Sequence, residues 1–82
     1  MIKVLYFASL RERLGCGEEI IQDDPATLAE LRARLATRGA DWGDVFGDGQ
    51  RVLAAINQEM AVADQQLRSG DEVGFFPPVT GG

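Results

Sequence analysis

Two apolar segments at opposite ends of the chain constrain its fold most strongly. Residues 2–7 are rich in β-branched and aromatic side chains and carry only one charge, Lys3. This pattern is typical of a strand that is buried on both faces, or nearly so. Residues 73–76 form a second apolar strand, which Pro77-Pro78 must end because proline has no amide proton for a ladder hydrogen bond. We expect this last strand to pair beside the first at the centre of a sheet.

The main helix is predicted between these two strands. Thr27 is followed three residues later by Glu30, which is the capping-box pattern: the hydroxyl accepts from the Glu30 amide and the carboxylate reaches back. Glu30 and Arg34 are spaced to form an i,i+4 ion pair, and Gly39 is expected to end the helix. Three leucines share one face of this helix: Leu28, Leu31 and Leu35.

The remaining elements are shorter. Ser9 and Glu12 form a second capping-box pattern, which predicts a short helix capped by Ser9. Strands are predicted at residues 19–22, 52–56 and 60–62, with a hairpin turn at Asn57-Gln58-Glu59 between the last two. Residues 40–50 are rich in glycine and aspartate, so we expect a loop or single turn whose aromatic side chains cover one end of the core.

This order of elements predicts an α+β fold in which a mixed sheet of four or five strands packs on one main helix. That architecture is the β-grasp, or ubiquitin-like, roll. We expect the β-grasp domain to span residues 1–77. An extended, flexible tail that ends in Gly-Gly would then follow at residues 78–82.

The composition leaves little for conventional catalysis. The chain of 82 residues has no histidine, so it has no histidine base or triad, and its single cysteine, Cys16, lacks companions for zinc or a disulfide. A net charge of −5 opposes binding to nucleic acid or anionic membranes and favours a basic partner. The free thiol and the absence of a long apolar run predict a soluble, cytoplasmic protein.

The tail is the candidate functional segment. Pro77-Pro78 favour extended polyproline II, and the five residues beyond Pro77 reach roughly 16 Å. Gly81-Gly82 have no side chains, so they can pass through a narrow channel and deliver the terminal carboxylate for activation as an acyl-adenylate. At a glycine frequency of about 7%, two terminal glycines arise by chance in roughly one chain in two hundred. We therefore predict a carrier whose reactive group is Gly82.

Several segments together resemble the family of small, sulfur-carrier subunits of molybdopterin synthase. The resemblance lies in residues 1–8, the helix at 28–35, the strand at 52–57 and residues 70–82, and it covers the whole chain. The ending Phe75-Phe76-Pro77-Pro78-Val79-Thr80-Gly81-Gly82 is its most specific part. A Gly-Gly end alone is weaker, because ubiquitin-like modifiers and the thiamine sulfur carrier share it.

The resemblance implies a reaction sequence at Gly82. A ubiquitin-activating-like adenylyltransferase uses ATP to adenylate the carboxylate, and a sulfur donor system converts it to a thiocarboxylate. The tail then enters the large synthase subunit, where sulfur passes to cyclic pyranopterin monophosphate and forms the dithiolene of molybdopterin. The large subunit supplies the catalytic side chains in a heterotetramer, so this chain is not an enzyme by itself and binds no cofactor.

By the same resemblance, the residues that bind the partner lie at the end of the last strand and in the tail. They are Phe75, Pro77, Pro78, Val79, Thr80 and Gly81. Three alternatives stay open: a sulfur carrier for thiamine or tRNA thiolation, a ubiquitin-like modifier joined to lysines through Gly82, and an interaction module with a dispensable tail.

Overall fold

The computed structural model describes residues 1–47, 52–62 and 64–78. Within these residues there are five strands and three helices: β1 (Ile2–Tyr6), α1 (Ser9–Leu14), β2 (Glu18–Ile21), α2 (Leu28–Ala36), α3 (Ala40–Phe46), β3 (Leu53–Ile56), β4 (Glu59–Met60) and β5 (Glu72–Phe76). The strands form one sheet in the order β2-β1-β5-β3-β4. β1 and β5 are parallel, and the other neighbouring strands are antiparallel.

The first and last strands pair at the centre of the sheet, as the sequence predicts. Val4 lies opposite Val73, and Tyr6 lies opposite Phe75. In the part of the chain that the structure describes, the helices pack on the face of this mixed sheet that carries the buried residues, which is an α+β arrangement of the β-grasp type and confirms the predicted fold class. The core contains alternate sheet residues and the leucine stripe of α2: Ile2, Val4, Tyr6, Val73, Phe75, Leu28, Leu31 and Leu35.

The predicted cap of α2 is present, with one difference. The Thr27 hydroxyl accepts from the Glu30 amide at 3.1 Å. The Glu30 carboxylate reaches back to the amide of Ala26 at 2.7 Å, one residue before the cap, and also accepts from Arg34 at 3.0 Å. The hydrogen bond from Ala26, and after it the one from Arg34, holds the pKa of Glu30 below its usual range.

α2 ends earlier than predicted. Its last residue is Ala36, three residues before Gly39. The amide of Thr37 donates to the Arg34 carbonyl at 3.2 Å, and the amide of Arg38 makes the same type of i→i−3 bond to Leu35. These bonds tighten the last turn and satisfy carbonyls that would otherwise have no partner.

The predicted Ser9 cap is wrong. Ser9 is already the first residue of α1, and the capping position belongs to Ala8, which makes no side-chain cap hydrogen bond. Ala8 has φ 53° and ψ −130°, and it turns the chain sharply out of β1. The amides of Leu10 and Arg11 donate to the carbonyls of Phe7 and Ala8, so the helix is closed by backbone groups alone.

The loop predicted at residues 40–50 is also wrong over its described part, because it contains α3. Trp42, Val45 and Phe46 are spaced to share one helical face, and Val45 and Phe46 are buried. A glycine inside a helix costs about 1 kcal/mol relative to alanine. A Cβ on Gly43 would lie 3.4 Å from the Ala36 carbonyl oxygen, an ordinary van der Waals contact, so the space at this position does not itself require glycine. Packing against the core therefore overrides weak local propensity, and the aromatics cover the core as expected.

The predicted hairpin joins β3 and β4. Asn57 and Gln58 both have positive φ, 51° and 71°, as a tight two-residue hairpin turn requires. The Asn57 side chain donates to Asp71 and accepts from the amide of Glu72, both at 3.0 Å. These bonds fix the hairpin to the start of β5. The returning strand begins one residue earlier than predicted, at Glu59.

Candidate functional site

The candidate site is the root of the C-terminal tail. β5 ends at Phe76, and Pro77 and Pro78 follow it, both half-buried. The other predicted site residues lie outside the described residues: Val79, Thr80, Gly81 and Gly82. The structure therefore describes where the tail leaves the domain, while the role of Gly82 and the boundary between residues 1–77 and 78–82 stay predictions.

The strand that leads into the tail is held on both sides. Phe75 lies opposite Tyr6 of β1 and Ala54 of β3, and Phe76 lies opposite Leu53. The Phe75 carbonyl accepts from the amide of Phe7 at 3.0 Å, one residue beyond the end of β1. Because β5 is a central strand paired along its length, the tail starts from a fixed point rather than from a frayed end.

Phe75 itself belongs to the core, which corrects its predicted place on the docking surface. Its side chain is 0% exposed. Its ring stacks on Tyr6 with centroids 6.1 Å apart, and it meets Phe46 edge-on at 4.9 Å. The strand alternation explains this position, since β5 directs Val73 and Phe75 toward the helices. A partner cannot contact this side chain directly in this fold.

A polar network includes Tyr6, whose ring stacks on Phe75. The Tyr6 hydroxyl donates to Glu19 at 2.8 Å, and Arg38 donates to the same carboxylate oxygen at 2.7 Å. The Arg38 guanidinium also lies 4.8 Å from the centroid of Trp42, which meets Tyr6 edge-on at 5.5 Å. The network joins β1 and β2 to the chain around α3. No local sequence pattern predicted it, because its members are far apart along the chain.

Burial and hydrogen bonding shift two pKa values in this network. Burial, together with the hydrogen bond to Glu19, raises the pKa of the Tyr6 phenol far above its usual range. Burial alone would also raise the pKa of Glu19. The hydrogen bonds from Arg38 and Tyr6 and the positive charge of Arg38 outweigh burial, so the pKa of Glu19 lies below its usual range. Tyr6 therefore stays a neutral donor and Glu19 a charged acceptor near neutral pH.

The described residues leave the opposite side of the sheet largely uncovered. We call this side the open face; Lys3, Glu18 and Glu72 lie on it, and its apolar positions, which alternate with the core positions, are Leu5, Phe7, Ile20, Leu53, Ala55, Met60, Gly74 and Phe76. Phe7 is 47% exposed, Ile20 46% and Met60 64%. Contiguous apolar surface on a small domain marks an interaction site. Phe76 belongs to this face, so the open face extends to the root of the tail.

Comparison with known proteins identifies the family. The ThiS family model matches residues 4–82. The chain belongs to the ThiS family. It is 45% identical over 82 residues, with full coverage of both chains, to the molybdopterin synthase sulfur carrier subunit of Escherichia coli. This similarity confirms the resemblance predicted from the sequence.

Solved structures agree on the fold. A putative molybdopterin converting factor, subunit 1, from Pyrococcus furiosus superposes on this ThiS-family chain with a TM-score of 0.77 and 36% identity, covering 95% of this chain and 97% of that one. Small archaeal modifier protein 1 of Haloferax volcanii superposes with a TM-score of 0.76 and 27% identity over the same shares of the two chains. A chain named as a molybdopterin converting factor subunit and a chain named as a modifier protein therefore share this architecture.

The open face of this ThiS-family domain also carries charged side chains. Lys3 lies 3.6 Å from Glu18 and 4.0 Å from Glu72, across three neighbouring strands. Lys3 pairs with Glu72 at the start of β5, whereas Glu18 lies opposite Leu5, nearer the middle of the face. The tail leaves from the other end of β5, where Phe76 lies.

The single cysteine, Cys16, precedes Gly17, whose carbonyl accepts from the Tyr6 amide at 2.9 Å. The Cys16 thiol is half-buried and donates to the Glu18 carbonyl at 3.4 Å. In the described part of the chain there is no group of three or more histidine, cysteine, aspartate or glutamate side chains that could hold a metal ion. The same part has no helix with the length and apolar character needed to cross a membrane.

Proposed function

We propose that this chain is the sulfur-carrier subunit of a molybdopterin synthase, with the Gly82 carboxylate as the sulfur-bearing group. The observation that carries the proposal is the place where the tail begins. The central strand β5 runs directly into Pro77-Pro78 beside an exposed apolar face, in a chain that is similar over its whole length to a sulfur carrier subunit. The folded domain therefore holds the root of its tail next to a surface suited to docking.

The proposed chemistry takes place at a single carbonyl. An ATP-dependent adenylyltransferase joins AMP to the Gly82 carboxylate, with pyrophosphate as the leaving group. Sulfide supplied by a donor system then attacks the acyl-adenylate and displaces AMP, which leaves a thiocarboxylate. In the synthase, the thiocarboxylate sulfur bonds to cyclic pyranopterin monophosphate, and water then cleaves the bond between this sulfur and the Gly82 carbonyl, so the sulfur stays on the pterin and Gly82 becomes a carboxylate again. In this proposal the large subunit supplies the acid and base groups. This chain holds the sulfur and delivers it.

The open face is the proposed docking surface for the large subunit. Phe7 and Met60 expose about half or more of their surface, and Phe76 carries the face to Pro77 and Pro78. Exposed aromatic and methionine side chains are enriched in protein interfaces. A partner seated on this face would have the entrance of its channel beside the tail root, so docking and insertion of the tail occur in one binding event.

The decisive experiment is the intact mass of the chain after incubation with activating enzyme, ATP and a sulfur donor. We expect a species that is heavier by the difference between sulfur and oxygen, confined to the C-terminal peptide. A variant lacking Gly82 serves as the control, because it keeps the folded domain and the open face but should gain no sulfur. An unchanged mass of the full chain under these conditions would overturn the proposal.

A ubiquitin-like protein modifier is the second candidate, favoured by the likeness to the small archaeal modifier protein. Modification would join Gly82 to target lysines and give higher-mass conjugates in cells that disappear when Gly82 is deleted. Binding to purified large synthase subunit distinguishes the proposed function from another of the alternatives. A carrier that serves thiamine or tRNA thiolation should not bind this subunit.

A further inference from the structure

Phe7 is an exposed aromatic side chain of the open face, 47% exposed, that lies close to the central strand. It follows β1, and its ring lies against Gly74 of the central strand. A Cβ built on Gly74 would lie 2.9 Å from Cε2 of Phe7 and 3.8 Å from Cζ. Carbon atoms in contact are normally about 3.5–4.0 Å apart. One edge of the ring therefore occupies the space that any larger residue at position 74 would need.

The backbone on both sides of Phe7 is also fixed. Its amide donates to Phe75 in the neighbouring strand at 3.0 Å, and its carbonyl accepts from Leu10 in α1 at 3.1 Å. The next residue, Ala8, has a positive φ of 53°, a conformation that non-glycine residues rarely adopt. Leu10 is buried in the core and holds the far end of this turn. The backbone that carries the ring is thus fixed on either side of Phe7.

The conformation of Gly74 does not itself require glycine. The described glycines with positive φ are Gly15, Gly39 and Gly70, and Gly74 is not among them. A glycine inside a strand weakens it, and often marks a place where another group comes close to the backbone. Here that group is the Phe7 ring, so the space above the strand, rather than the backbone geometry, accounts for the glycine.

We propose that Gly74 is a positioning residue for docking. Because it has no side chain, the Phe7 ring can lie close to the backbone of β5 on the open face, beside the root of the tail. The inference rests on the proposed function, since it takes the open face as the surface that meets the large subunit. A side chain at position 74 would lift the ring and change the shape that the apolar partner surface must match. Gly74 therefore affects the affinity for the partner through the position of the Phe7 ring, without contacting the partner.

A double-mutant cycle tests this coupling. Gly74→Ala, Phe7→Ala and the double variant are compared with the unmodified chain for affinity to purified molybdopterin synthase large subunit, and for the midpoint of urea unfolding. We expect Gly74→Ala to weaken binding about three- to tenfold. Its unfolding midpoint should be unchanged or higher, since alanine suits a strand better and the far end of the ring can swing away. In the Phe7→Ala background, Gly74→Ala should change the affinity less than about twofold.

The possible outcomes distinguish a failure of this inference from a failure of the proposed function. An equal loss of affinity in both backgrounds would show that position 74 meets the partner itself, and unchanged affinity of Gly74→Ala would show that the ring position is irrelevant; either result overturns the inference alone. If Gly74→Ala fails to fold with Phe7 present, it is combined with Phe7→Leu, which has no ring edge beside position 74. The affinities of Phe7→Leu with and without Gly74→Ala are then compared, and they should differ by less than about twofold. Absence of binding by the unmodified chain would overturn both the proposed partner and this inference.

Discussion

The two faces of the sheet are made by the same strands and differ in what they contact. On the helix-packed face, Tyr6 and Phe75 are almost completely buried and belong to a cluster of aromatic rings. On the open face, Phe7 is 47% exposed and its ring rests on a glycine. Residues adjacent in sequence, Tyr6 and Phe7 or Phe75 and Phe76, therefore have different tasks. The helix-packed face holds the tail root in place, and the open face is available to a partner.

This difference separates stability from recognition within a small domain. Loss of a buried ring leaves a cavity, whereas loss of an exposed ring removes little that the folded state depends on. Substitutions on the two faces should therefore change different measurements. The predictions below test that separation, starting with the largest expected effect.

Phe75→Ala should destabilise the domain severely. Truncation of a buried phenylalanine costs about 3–5 kcal/mol, which is a large share of the roughly 5–15 kcal/mol typical of a folded domain. Urea unfolding followed by circular dichroism measures the loss. Phe7→Ala is the matched control, and it should lower the unfolding free energy by no more than about 1 kcal/mol. Equal losses in the two variants would contradict the assignment of the faces.

Phe7→Ala should instead weaken docking. Removal of an aromatic anchor from an interface costs more than about 1 kcal/mol, so we expect the Kd for the large synthase subunit to rise about fivefold or more. Titration calorimetry provides the measurement. Ala33→Ser, at an exposed position of α2 on the other side of the domain, should leave the Kd unchanged. A normal Kd for Phe7→Ala would remove the open face from the docking model.

Tyr6→Phe tests the polar edge of the helix-packed face. The variant keeps the buried ring and loses only the hydrogen bond to Glu19, which Arg38 continues to satisfy. The net cost of one such bond is about 0.5–1.5 kcal/mol. We expect a loss in this range from thermal unfolding, with docking affinity unaffected. A loss as large as that of Phe75→Ala would show that the network, rather than ring packing, dominates this face.

The smallest effect is a pH dependence from Glu19. Its pKa in the folded state lies below the ordinary glutamate value of 4.5, so its stabilising contribution is complete above that value and is lost as the pH falls through the folded pKa. Because the pair with Arg38 is partly exposed, we expect less than about 1 kcal/mol. Glu19→Gln should flatten this part of the stability profile below about pH 4.5. An unchanged slope in that variant would contradict the assignment to Glu19.

Much of the fold follows from local patterns. The Thr27 cap and the leucine stripe predict α2, and the apolar end segments predict the two central strands, which the structure confirms. The helix at residues 40–46 was not predicted, because glycine and aspartate lower its local propensity. Trp42, Val45 and Phe46 do carry the helical spacing, and that spacing was the signal available in the sequence.

The candidate site divides in the same way. The sequence predicts the tail and its prolines, but it assigns Phe75 to the docking surface, whereas the structure buries Phe75 and exposes Phe7. The cap predicted at Ser9 fails for a related reason. The local pattern fits a cap, but the sharp turn at Ala8 begins the helix one residue earlier so that Leu10 reaches the core.

The sequence alone therefore determined which segments are strands, where the main helix begins, and that a proline-led glycine tail follows the last strand. Only the tertiary structure decided which side of each strand is covered. Alternation along a strand has a period of two residues, so it sorts side chains onto two faces without showing which face the helices will cover. That choice depends on contacts between distant segments, such as Phe46 with Phe75 and Phe7 with Gly74, and these form only when the chain has folded.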